Sequence, residues 1–301
     1  MARAKSPRIP AIKPRDQVIA CARDPAREAQ IEQFARDLRL AAPGIGTHGL
    51  DPGAFAASGL FDAAVEKLRG QKSATMKDKK SFVREILDVM QAGKHIKKWS
   101  FAGGSDRHDY EIHLNDGRLA IVEAKGCLDG NNSTIYKRPP QADEFLIWSL
   151  CQNPGSDPGH NGWSGIHTRL GAHMMALKEV VDGLVIWDML CGTAKRPCPK
   201  LIADPTRATR VGNADLPPPC LYLFPATIPD ARSNPSPRTH NLAEVGLLDA
   251  LYKCFGCGPE DLREVKIEAK VEPSGKVYRR TTLLRGGVSL AASKWTELKR
   301  A

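Results

Sequence analysis

The chain has no apolar run long enough to cross a bilayer. Its longest, such as Leu184–Trp187, fall far short of the roughly 20 residues a membrane helix needs, so a helical span is excluded. The N-terminal stretch is basic and interrupted by Pro7, Pro10 and Pro14. It lacks the apolar segment of about 7–15 residues that a secretory signal carries, which points to the cytoplasm. Cysteine is sparse: 8 in 301 residues is not the density of a disulfide framework. There is no internal repeat and no low-complexity tract. No Gly-x-x-x-x-Gly-Lys-Ser/Thr loop occurs, so ATP is not expected. Acidic residues are the minority charge, 34 against 44 Lys and Arg.

What remains is a basic globular chain. Apolar residues make up 42% and charged residues 26%, ordinary usage for a folded protein, so wholesale disorder is excluded. The net charge is +10 and the pI about 9.2, which makes a polyanion the first partner to consider, nucleic acid before membrane surface. The length allows one large domain or two small ones.

The periodicity predicts helices over 24–40 and 54–69, separated by a Gly/Pro loop at 43–53. A more regular pattern begins near residue 80. Phe82, Ile86, Val89 and Met90 share a helical face that ends at Gly93. Strands are expected over 95–101, 109–114 and 119–125, then helices over 143–151 and 166–181. The run Leu184-Val-Ile-Trp reads as a buried strand. Residues 191–240 hold many of the prolines and read as loops. A helix over 242–255 and a hairpin around Pro273-Ser274-Gly275 complete the chain.

The stretch that bears on chemistry runs from Asp109 to Lys125. Side chains alternate faces along a strand, so Glu123 and Lys125 point the same way. Asn115-Asp116-Gly117 is a hairpin signal. If it forms a three-residue loop with Gly117 in the left-handed position, Leu114 faces Arg118 and Asp109 falls opposite Glu123. A two-residue turn would put Asp109 on the other face. Two adjacent carboxylates repel unless a cation neutralises them. Such a pair suits Mg²⁺-assisted phosphodiester hydrolysis, with a lysine stabilising charge at the phosphate.

An acid followed by Glu-x-Lys at the end of the next strand resembles the signature of the PD-(D/E)XK nuclease superfamily. The predicted order also resembles its α/β restriction-endonuclease-like core: helix, three-strand meander, crossover helix, strand. The resemblance covers residues 80–190, leaving a helical N-terminal addition over 1–79 and a loop-rich C-terminal one over 191–301. It implies Asp109 and Glu123 as Mg²⁺ ligands with the Ala124 backbone carbonyl, and Lys125 as the catalytic lysine. It implies a further acid from the preceding helix, Glu85 ahead of Asp88. It also implies phosphate contacts from Lys137, Arg138 and Gln141, whose alternative reading is a capped helix start. The family's Pro-Asp is His108-Asp109 here, and Asp106 is the alternative first carboxylate.

The implied activity is a Mg²⁺-dependent endonuclease on double-stranded DNA, in the first instance a homodimeric Type II restriction enzyme. A repair or recombination nuclease on the same core is the alternative. A second alternative is a non-catalytic DNA-binding protein stapled by Zn²⁺ on Cys191, Cys198, Cys254 and Cys257. The tripeptide Glu268-Ala-Lys270 repeats the motif's letters. It lies in a strand whose apolar residues alternate with charged ones, and is read as a solvated face. The segment 153–167, with His160, Asn161, Trp163 and His167, is a candidate for stacking on bases or reading them. Lys94, Lys97 and Lys98 beside Trp99 are a candidate phosphate contact.

Overall fold

The computed structural model describes residues 29, 33–36, 49–58, 60, 61, 64, 76–102, 108–126, 138–151, 158–189, 191–192 and 198–298. Asp106 and Lys137 lie outside them. The fold is mixed α/β, built on a ten-stranded sheet. A short helix α1 (Pro52–Ser58) precedes α2 (Met76–Ala92). Three strands follow as an antiparallel meander: β1 (Lys98–Phe101), β2 (Tyr110–His113) and β3 (Leu119–Lys125).

The next element corrects a sequence expectation. The segment read as a helix over 143–151 is a strand, β4 (Glu144–Cys151), parallel to β3. Its six-residue run Phe145–Leu150 is buried on both faces of the sheet. A strand in that position needs no alternation, so its sequence is a continuous apolar run that periodicity cannot tell from a buried helix. The helical crossover therefore comes one strand later. It comprises α3 (Pro158–Gly165), a π-turn (Ile166–Leu170) and α4 (Gly171–Leu177), and leads to β5 (Gly183–Asp188), parallel to β4.

A short helix α5 (Pro199–Ala203) and a small hairpin, β6 (Thr209–Val211) with β7 (Ala214–Leu216), come next. Strand β8 (Cys220–Leu223) then returns the chain to the main sheet, antiparallel to β5. After α6 (Gly246–Cys254), β9 (Leu262–Val271) pairs parallel to β8 and forms a hairpin with β10 (Val277–Arg285). Strands β11 (Val288–Ala292) and β12 (Thr296–Glu297) both pair with β10. Residues before and after 190 thus build one sheet.

The sheet buries both faces. On one, Val83, Ile86, Leu87 and Met90 of α2 and Leu247 and Leu251 of α6 cover Val122, Ala124, Trp148 and Trp187. On the other, Ile166, Leu170 and Met174 of the crossover cover Ile121, Phe145, Ile147 and Ile186. Glu144, buried at the start of β4, joins the two halves of the chain. It accepts hydrogen bonds from the first backbone N–H groups of α6, Gly246 at 2.7 Å and Leu247 at 3.0 Å, and pairs with Arg118 at 2.6 Å. A carboxylate at a helix N-terminus satisfies donors that have no partner within the helix. Among the described residues, no helix is long and apolar enough to cross a membrane.

Candidate active site

The hairpin between β2 and β3 takes the three-residue form. The Leu114 N–H donates to Arg118 O at 2.9 Å, and Gly117 has φ of 94°, a conformation open to glycine. Tyr110 pairs with Val122 and Ile112 with Ala120. One residue further out, Asp109 extends the ladder: its N–H donates to Val122 O at 3.1 Å and its carbonyl accepts from Ala102 N–H at 3.0 Å. Asp109 therefore falls opposite Glu123, as the three-residue loop requires. Its carboxylate Oδ2 accepts the Ala124 N–H at 2.9 Å, so the Ala124 backbone and the Asp109 carboxylate face each other.

Glu123 and Lys125 share a face at the carboxyl end of β3, and the Lys125 ammonium pairs directly with the Glu123 carboxylate. The two side chains keep only 14% and 13% of their surface exposed, so the charges are held in a largely dry environment. Burial pushes the Glu123 carboxyl above its ordinary value; Lys125 pulls it down, Asp109 pushes it up and His108 pulls it down. That pattern marks a carboxylate pair in need of a cation, which Lys125 supplies in this structure.

Two further polar groups belong to this corner. Glu111 lies two residues along β2 from Asp109, hence on the same face. Buried His108 approaches it, Nε2 to Oε1 at 3.3 Å. From the sequence, His108 stands only in the place of the family's proline, and Glu111 is not among the expected site residues. The period-two spacing of Asp109 and Glu111 was the signal available for it. On β4, Ser149 sits beside Lys125 and donates to Gly126 O at 2.8 Å, fixing the end of β3.

Other expected residues are not brought here. Glu85 is exposed on α2, and the buried stripe of α2 packs on the face of Val122 and Ala124, opposite to that of Glu123. Glu85 instead accepts from the Ser81 hydroxyl at 3.1 Å and lies against Gly212, in the turn between β6 and β7. Asp88 accepts from Trp99 Nε1 at 3.1 Å, which ties α2 to β1.

Arg138 and Gln141 lie at the opposite end of the sheet. Because β3 and β4 are parallel, the chain must return to the start of β3 before β4 begins, and Asp143 N–H donates to Leu119 O at 2.9 Å. Arg138 is engaged there in structure, bonding Ala142 O and Asp143 O and pairing with Asp182 at 3.3 Å. Gln141 is exposed in the adjoining turn.

The four cysteines do not converge as a zinc site requires. Cys198 takes a hydrogen bond with Cys191, and this contact with neighbouring donors lowers its thiol to about 7. Cys257 is buried near Asp261, Lys200 and Cys220, and burial holds its thiol high. Cys254 is on the last turn of α6, its thiol raised to about 11 by burial. Among the described residues, no group of three or more His, Cys, Asp and Glu side chains is arranged to hold a metal ion.

The second Glu-x-Lys lacks a facing carboxylate in its described partners: its glutamate, 16% exposed, is held by two cations, and Lys270, 43% exposed, pairs with Glu272. Ile267 and Ala269 are buried, while Glu268 pairs with Arg280 at 2.7 Å and Lys266 at 3.3 Å. The chain matches no protein-family model, no curated protein and no solved structure.

Proposed function

We propose that this protein is a Mg²⁺-dependent deoxyribonuclease of the PD-(D/E)XK type, acting on double-stranded DNA. The observation that carries the reading is the meeting of Asp109, Glu123 and Lys125 on one face at the carboxyl end of β3. The meander β1–β3 after α2, followed by a strand parallel to β3, is further support. The crossover helix comes one strand later than the family pattern implies.

The donor set fits the metal: carboxylate and backbone oxygens suit a hard cation. Asp109, Glu123 and the Ala124 carbonyl would hold Mg²⁺, which when bound supplies charge neutralisation at the phosphate and an acidified water. The chain's own residues do the remainder. Lys125 neutralises Glu123 in the resting site and offers its ammonium to phosphate oxygens once the carboxylate is otherwise engaged. Asp109 is held by the Ala124 N–H, and His108 with Glu111 walls the same corner. The surplus of ten positive charges favours a polyanionic substrate. Sequence-specific cleavage by a two-fold dimer, as in a Type II restriction enzyme, is the form we propose, because cutting two strands is matched by two copies of one centre.

The test is incubation of the full chain with phage DNA in Mg²⁺ and, separately, in EDTA. Discrete fragments that require Mg²⁺ are expected, and they vanish in Asp109→Ala, Glu123→Ala and Lys125→Ala but persist in Lys270→Ala. A Mg²⁺-dependent smear keeps the nuclease and rejects sequence specificity. Cleavage that survives all three substitutions rejects this centre.

A further inference from the structure

Arg279 lies near the start of β10, on the face turned toward the crossover, with only 4% of its surface exposed. Its Nε has no hydrogen-bond partner. Its Nη1 makes two long hydrogen bonds, to His167 Nδ1 and to Thr281 Oγ1, each at 3.4 Å. Among the described residues it forms no ion pair, unlike its neighbour Arg280, which pairs with Glu268. A guanidinium does not give up its proton in a protein. Burying one without an anion is strongly destabilising unless something else compensates it.

The surroundings are built around this group. The crossover widens into a π-turn over Ile166–Leu170, closed by the Gly171 N–H on Ile166 O. Such turns concentrate at functional sites. Gly171 has no side chain, and a Cβ there would come within 2.8 Å of Ile166 O, 3.4 Å of Thr281 Oγ1 and 3.5 Å of Arg279 Nη1. The contact that requires glycine is the one with Ile166 O, in the turn's own backbone; the approaches to Thr281 and Arg279 are ordinary van der Waals distances and place both side chains against this turn. His167 stacks on Trp163, centroids 5.6 Å apart and planes 6° from parallel, which fixes the imidazole beside the guanidinium. Burial and Arg279 both lower the His167 pKa, so it is neutral at neutral pH and can accept from the arginine. Thr281, fully buried, adds a hydroxyl.

We infer that the junction of the π-turn with β10 is a binding site for a small tetrahedral oxyanion of the phosphate class, held by the Arg279 guanidinium and the Thr281 hydroxyl. A guanidinium offers two parallel N–H donors that match two oxygens of such an anion. The site is separate from the Asp109–Glu123 corner. Both lie on the sheet face that carries Ile121, but β3 and β10 are five strand spacings apart, roughly 24 Å at about 4.8 Å per strand. The inference therefore stands apart from the nuclease reading. The anion can be a free ion or the terminal phosphate of a nucleic acid, and the two are separable.

The experiment is calorimetric titration of the full chain with inorganic phosphate, against chloride at matched ionic strength. One phosphate per chain is expected in the wild type and in Arg280→Gln. Affinity should fall at least tenfold in Arg279→Gln and measurably in Thr281→Val, the milder change. A 5′-phosphorylated oligonucleotide that displaces phosphate, where its 5′-hydroxyl twin does not, identifies a nucleic-acid end as the ligand. Phosphate binding that neither oligonucleotide disturbs identifies the free ion. The inference is overturned if the wild type binds no phosphate, whatever the variants do, or if a folded Arg279→Gln binds it as the wild type does.

Discussion

Replacing Lys125 with Met tests the electrostatics of the candidate centre without any substrate. Lys125 is the cation paired with Glu123, and both side chains are mostly buried. Its loss leaves the Glu123 and Asp109 carboxylates side by side. Glu123, already pushed up by burial and by Asp109, escapes by taking up a proton. Protonating a carboxyl with an unfolded pKa near 4.3 costs about 3.7 kcal/mol at pH 7, at about 1.4 kcal/mol per pH unit, and this caps the loss. That is a large share of the roughly 5–15 kcal/mol by which a domain is stable.

The sign follows from proton counting. The folded variant binds a proton that the unfolded chain releases, so its stability falls as pH rises between the unfolded and folded pKa values of Glu123. The cap shrinks to about 1 kcal/mol near pH 5. A divalent cation replaces the missing charge. Magnesium at about ten times its Kd contributes about 1.4 kcal/mol, and the gain should exceed that of the wild type, where Lys125 competes for the same carboxylate. The assay is urea unfolding followed by tryptophan fluorescence, in EDTA at about pH 5 and about pH 7, then with Mg²⁺. A loss that is equal at both pH values and unchanged by Mg²⁺ would refute the reasoning.

Three further outcomes are expected. Asp109→Asn and Glu123→Gln should each lower Mg²⁺-dependent DNA cleavage by about 10³-fold, measured as initial rates on plasmid, whereas Glu85→Gln should stay near wild type because Glu85 lies across the sheet. Glu144→Ala should cost about 3–5 kcal/mol, since it strips the cap from α6 and leaves Arg118 without its buried partner; Glu144→Gln, which keeps an acceptor, should cost less, and urea midpoints decide. His240, between Asp182 at 3.5 Å and Glu244 at 3.3 Å, has its pKa raised, chiefly by Asp182. Its contribution is therefore full below the unfolded value of about 6.5 and lost as pH rises through the higher folded value. Tm against pH should show this fall in the wild type, and a profile of the same slope in His240→Asn would contradict it.

Local sequence marked the β2–β3 hairpin and put Glu123 and Lys125 on one face, but left a two- or a three-residue loop open. The structure takes the three-residue form, and that register brings Asp109 to the same face. The same alternation marked the strand around Glu268-Ala-Lys270, with Ile267 and Ala269 inward, but Glu268 is nearly as buried as Glu123 and is held by Arg280 and Lys266. Four matters were decided only by tertiary structure. Phe145–Leu150 is a strand because parallel neighbours on both sides and cores on both faces bury it, and nothing local separates that from a buried helix. The parallel pairing of β3 with β4 then sends Arg138 and Gln141 to the far end of the sheet, and the packing of α2 turns Glu85 away from Glu123. Arg279 reads in the sequence as one more charge in a basic strand. Its burial beside His167 and Gly171 joins segments distant in sequence, and burial is a property that no local pattern encodes.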